Sequence, residues 1–232
     1  PMSRRRRYIE PIEKFIESSI PIIQTHWETF QNPEGKESGV CMRLRNKRFY
    51  VTTSDVILKP HPHADAIIAF VLQILGGYRI LRKPAVDPVF AQNLQKLTGI
   101  WKNWWSLPNR PLPLQPGGNG WQRPAPAGKR KTGLFFTAGV DSFFTLIKNQ
   151  EKIDVLIFVI GFDIKTDDST RINYIIQKIR TIGEIFEKDV WILRTNLLLH
   201  KPLTRIKAVR WINGTMALVG WLLWDELDRL LI

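Results

Sequence analysis

Hydrophobic and polar positions follow two rhythms along this chain. From Val40 to Val51 the period is two: Val40, Met42 and Leu44 alternate with Cys41, Arg43 and Arg45, and Phe49 and Val51 follow Lys47 and Arg48. Period two sends successive side chains to opposite faces of a strand, so the stretch predicts a hairpin turning at Asn46-Lys47. Ala64 to Leu75 is a continuous helical run that Gly76-Gly77 stops, with Asp65 in its first turn, where a carboxylate offsets the helix dipole. Tyr78 to Leu81 predicts a short strand. Asp87-Pro88 predicts a helix start, with Asp87 as N-cap and Pro88 at the first helical position. That helix should reach about Trp105, because Phe90, Leu94, Leu97 and Trp101 fall on one face.

Beyond residues 106–131, where proline and glycine are too dense for helix or sheet, the rhythm changes. Gly133–Phe136, Asp154–Ile160 and Val190–Leu193 are apolar strands. Between them lie a helix at Ser142–Gln150 and a second at Ser169–Phe186, the latter with a stripe of Ile172, Ile175, Ile176, Ile179 and Ile182. Strand, helix, strand, helix, strand implies parallel pairing, and uniformly apolar strands imply a sheet covered on both faces. The expected organisation is an α+β domain over residues 1–105, a linker over 106–131 and an α/β domain over 132–232. The apolar stretch Trp211–Ile232 is broken by Asn213, Asp225, Glu226, Asp228 and Arg229, and reads as a buried helix rather than a membrane span.

Composition narrows the class. Hydrophobic residues make up 44% of 232 and charged residues 24%, a globular balance rather than a disordered one. The net charge of +13 favours polyanionic partners, so nucleic acid is a candidate partner beside nucleotides. Arg4 to Arg7 read as a solvated basic tail. The single cysteine, Cys41, excludes a disulfide framework within the chain and suits a cytoplasmic location. Pro60-His61-Pro62-His63, with Asp55 and Asp65 nearby, has some metal-ligand character but reads as a polar loop; His26 and His200 have no evident partners.

The chemistry concentrates at Thr137-Ala138-Gly139-Val140-Asp141-Ser142, where a buried strand turns through small residues into a helix. Backbone amides of such a turn and the helix N-terminus converge on one point and suit phosphate. Ala138 and Gly139 allow close approach, Asp141 suits magnesium, and the Ser142 hydroxyl suits a phosphate oxygen. The bland alternative is that Asp141 and Ser142 only cap the helix.

Phe135 to Leu146 resembles the SGGxDS phosphate loop of the PP-loop superfamily, the N-type ATP pyrophosphatases, and is most similar to bacterial relatives of 7-cyano-7-deazaguanine synthase whose loop reads FFSGGVDSFYTL. Gly161-Phe162-Asp163 looks like that group's GFD segment, where the backbone would meet adenine, and Arg194-Thr195-Asn196 looks like its TN segment. The resemblance extends over Ala64 to Leu223. It implies a parallel sheet of the adenine-nucleotide alpha-hydrolase type, with ATP and magnesium as cofactors. ATP would be held by Thr137, Ala138, Gly139, Val140, Asp141, Ser142, Gly161 and Phe162. Asp141 and Ser142 would be the catalytic pair, Asp141 the magnesium ligand, and Arg171, Lys178 and Arg194 candidate anion contacts. Three departures stand out: Thr137 and Ala138 replace Ser and the first Gly, Asn213-Gly214 replaces a His-Gly-Ala, and the later strands and cysteine cluster of the family are absent from these residues.

Two functions follow as expectations. The first is a ligase-like enzyme that adenylates a substrate with release of pyrophosphate. The second is a degenerate, non-catalytic subunit that binds a partner protein or nucleic acid. In either case a homodimer or a partner protein is expected to cover the apolar C-terminal helix, with Met216, Leu218, Val219, Leu222, Leu223 and Leu227 on it.

Overall fold

The structure is a computed structural model. It describes residues 22–23, 25–31, 38–44, 47–80, 85–108, 115–116, 128–162, 164, 166–197 and 212–232. The basic run Arg4–Arg7, most of the expected linker, Asp163, His200 and Trp211 lie outside the described residues.

The strands are β1 (Ile22–Ile23), β2 (Thr25–Gln31), β3 (Ser38–Leu44), β4 (Lys47–Thr53), β5 (Arg79–Ile80), β6 (Ala85–Val86), β7 (Gln115–Pro116), β8 (Lys131–Phe135), β9 (Val155–Ile160), β10 (Asp189–Thr195) and β11 (Leu227–Leu231). The helices are α1 (Pro62–Phe70), continued by a π-helical turn over Val71–Leu75, then α2 (Pro88–Trp105), α3 (Val140–Lys148), α4 (Ser169–Phe186) and α5 (Ile212–Leu222). Seven strands form one mixed sheet in the order β11-β8-β9-β10-β4-β3-β2. The first four are parallel, as the strand–helix alternation predicts. The hairpin β3–β4 joins antiparallel to β10, and β2 follows it. Strands from both sides of residues 106–131 therefore share one sheet.

Alternation along the buried strands divides the core in two. On β9, Val155, Ile157 and Val159 point to the larger cluster, which holds α1, α2 and α5 side chains; Leu156, Phe158 and Ile160 point to the smaller one, with α3 and α4. The helices' sides follow from strand order. The chain steps from β8 to β9 to β10 in one direction with α3 and α4 on one face. It then returns to β11 on the far side of β8, with α5 on the other face. A crossover of constant hand, run in the opposite direction, must carry its helix over the opposite face.

The hairpin, α1, the Asp87-capped helix, α4 and the three parallel strands lie close to where the sequence puts them. The end of the chain requires correction. The stretch Trp211–Ile232 is not one helix: α5 stops at Leu222, residues 223–226 turn, and Leu227–Leu231 becomes a strand parallel to β8. Buried Asp225, ion-paired with Lys59, fixes that turn, and Lys131 N–H donates to the Glu226 carbonyl at its exit. Nor is the helix's apolar face bare, because Leu218, Val219, Leu222 and Leu223 are buried in the larger core. Its neighbour is α1 with the turn that follows: a Cβ on Gly214 would lie 2.8 Å from Val71 Cγ2, so the glycine lets the two helical segments approach. No helix among the described residues is long and apolar enough to cross a membrane.

Candidate functional site

The carboxyl ends of β8, β9 and β10 bring together three of the segments singled out in the sequence: Thr137–Ser142, Gly161–Phe162 and Arg194–Asn196. The strand order reverses between β8 and β11, and in open α/β sheets ligands bind outside the carboxyl ends at such a reversal. The loop after β8 stands at that point.

Its geometry starts from Phe136, fully buried and fixed by its N–H donating to the Ile157 carbonyl at 2.8 Å. The chain then leaves the core, and Thr137, Ala138, Gly139, Val140 and Asp141 are exposed. Ala138 has φ +58, in the left-handed region that costs a residue with a Cβ about 1 kcal/mol or more. Gly139, at φ −82 and ψ 166, is the N-cap of α3 and occupies backbone space open to any residue. The loop thus carries its conformational demand one residue before its glycine.

The N-terminus of α3 has no side-chain cap. Asp141 does not serve as one. The hydroxyl of Ser142, a buried residue, donates back to the Gly139 carbonyl at 2.9 Å. The bland alternative of a capping pair is not what the geometry contains. By contrast, His61 caps α1, Asp87 caps α2 and Asp168 caps α4, each accepting from a backbone N–H. First-turn amides without an intrahelical or side-chain acceptor are the positive end of the helix dipole, available to an anion.

The neighbouring segments are more tightly engaged. Gly161 has φ +103, and a Cβ there would collide with the Thr195 carbonyl oxygen, so the ends of β9 and β10 can close only on glycine. Its N–H donates to the Ile164 carbonyl at 2.9 Å, and half-buried Phe162 packs against the larger core. Asn196 uses both ends of its amide on the hairpin. Its Oδ1 accepts from Tyr50 N–H at 2.9 Å, and its Nδ2 donates to the Arg48 carbonyl at 3.0 Å. Thr195 Oγ1 donates to the Tyr50 carbonyl at 2.8 Å. This segment stitches the antiparallel hairpin to the parallel sheet, a role that sequence pattern did not disclose.

Of the three candidate anion contacts, Arg194 is half-buried near the end of β10, and Arg171 is exposed in the first turn of α4. Lys178 lies seven residues further along α4, about 10 Å from Arg171, with its Nζ 5.5 Å from the Tyr174 ring centroid.

His61 and His63 form no polar loop. Both are buried, His61 stacked on Trp221 at 4.8 Å and His63 on Phe90 at 4.1 Å. His61 Nδ1 accepts from His63 N–H, and His63 Nε2 accepts from Asp87 N–H, both at 3.1 Å. The pair caps and joins helices. No group of three or more His, Cys, Asp or Glu side chains suited to a metal occurs among the described residues. Burial raises the Cys41 thiol above its ordinary value, outweighing the lowering by Arg48 and Arg43, as suits a packed residue.

No family model, curated protein or solved structure matches this chain.

Proposed function

We propose that this chain is an ATP-binding protein of the PP-loop type, with the triphosphate seated on Thr137–Ser142. One observation carries the reading: an uncapped helix N-terminus, following a tight turn, at the carboxyl end of the strand where the sheet order reverses. The amides of the first turn of α3 would hold phosphate oxygens. The Ser142 hydroxyl would exchange its bond to the Gly139 carbonyl for one to phosphate. Arg194, on β10 beyond β9, and Arg171, on α4, would add positive charge.

Magnesium fits this donor set through Asp141 alone. The ion keeps several waters and is commonly held by one or two carboxylates together with substrate phosphates, so a full protein cage is not required. Bound there, it would neutralise charge on the phosphates. The residues would contribute by orienting the triphosphate and stabilising its charge, which suits transfer of an adenylyl group to a substrate carboxylate with pyrophosphate leaving.

The alternative is a degenerate subunit that keeps the fold and binds a partner. Ala138 in the left-handed region favours it, since its methyl stands where the resembled loop has none. The test is a competition titration with magnesium present. Binding of ATP that pyrophosphate displaces and adenosine does not supports the phosphate seat. Equal displacement by adenosine removes the loop from the site. Salt-dependent binding of RNA or DNA without any ATP binding selects the second reading.

A further inference from the structure

The hairpin β3–β4 carries a basic surface that the nucleotide reading does not use. Residues 38–53 hold Arg43, Arg45, Lys47 and Arg48 and no carboxylate. Val40, Met42, Phe49 and Val51 are buried in the larger core. Period-two alternation therefore turns Cys41, Arg43, Arg48 and Tyr50 to the other face of the sheet, the one on which α3 and α4 pack further along. Arg43 and Arg48 are exposed and stand directly opposite each other in the ladder, as Cys41 and Tyr50 do. Like charges at opposed positions destabilise a sheet. Glu28, the only carboxylate in the sequences of β2, β3 and β4, pairs with Arg43 at 3.1 Å. Arg48 has no acidic partner among the described residues.

The same face continues onto β10. Arg194 stands opposite Thr52, and Ile192, two residues before it, lies in the smaller core, so half-buried Arg194 points the same way. From Arg48 to Thr52 is about 13 Å along the strand, too far for one phosphate to bridge but suited to a chain of them. Tyr50 lies between these two rows, half-buried on the same face. Its backbone is held at both ends: the N–H donates to Asn196 Oδ1 at 2.9 Å, and the carbonyl accepts from Thr195 Oγ1 at 2.8 Å. A fixed aromatic ring between guanidinium groups matches a single strand, whose phosphates meet the arginines and whose unstacked base meets the ring. A duplex keeps its bases stacked inside and could use the arginines alone. We propose that this face binds single-stranded nucleic acid, with phosphates on Arg43, Arg48 and Arg194 and a base stacked on Tyr50.

The proposal stands whether or not ATP binds at Thr137–Ser142. Fluorescence anisotropy tests it with an end-labelled oligouridylate of about 12 nucleotides, within the range of single-strand site sizes, and an unlabelled RNA duplex of equal length as competitor. Parent, Arg48→Gln and Tyr50→Leu are titrated across a salt series without ATP or magnesium. The parent should bind, and the duplex should compete poorly. Arg48→Gln, at an exposed position, should weaken binding and lower the slope of log affinity against log salt by about one. Tyr50→Leu should weaken binding about tenfold with the slope unchanged. No binding by the folded parent, or both variants binding as the parent does, overturns the proposal. A duplex that competes as well as the single strand, or a Tyr50→Leu variant that binds like the parent, overturns the stacking on which it rests.

Discussion

Ala138 is the residue on which the proposed loop turns. Its φ of +58 is one that glycine adopts freely and alanine does not. Ala138→Gly should therefore raise stability by about 1 kcal/mol in urea unfolding, with the steric relief exceeding the added chain entropy. It should also tighten phosphate binding by removing the methyl. A loss of stability would mean that the loop does not hold this conformation. Gly161 makes the opposite case, because a Cβ there would meet backbone of β10 rather than a movable side chain. Gly161→Ala should cost on the order of 3 kcal/mol, measured the same way. The turn from strand into helix at Thr137–Ser142 was legible from residue types. Which residue bears the positive φ was not, since the sequence offers a glycine next to it, and only the path of the chain out of Phe136 decides.

At the level of elements, legibility followed how much of an element's signal is local. α4 is bounded as its isoleucine stripe and Ser169 start suggest, and α2 begins at the Asp87-Pro88 signal. The hairpin β3–β4 follows its alternation. The end of α5 is different: Leu218 to Leu231 is apolar enough for either structure. The break comes from Asp225, whose partner Lys59 is 166 residues away. The histidine pair misled for a similar reason, since the aromatic rings that bury it come from α2 and α5. Asn196 likewise acts at long range. Asn196→Ala should destabilise the fold by roughly 1–2 kcal/mol and speed hydrogen exchange at the Tyr50 amide. Unchanged exchange at Tyr50 would show that the β10–β4 ladder does not need this side chain.

For the whole molecule, the sequence predicted parallel strands with helices between them, and those are present. Their order was not legible, because nothing local tells β11 to return to the far side of β8 or the hairpin to extend the same sheet beyond β10. That return creates the strand-order reversal beside the uncapped α3, which is where the proposed phosphate seat lies. The measurement that tests this most directly is calorimetric titration of magnesium-ATP into the parent chain and into Asp141→Ala. Binding by the parent that is lost, or weakened at least about tenfold, in the variant is the predicted result. No binding by a folded parent, or equal binding by both, would contradict the proposed site.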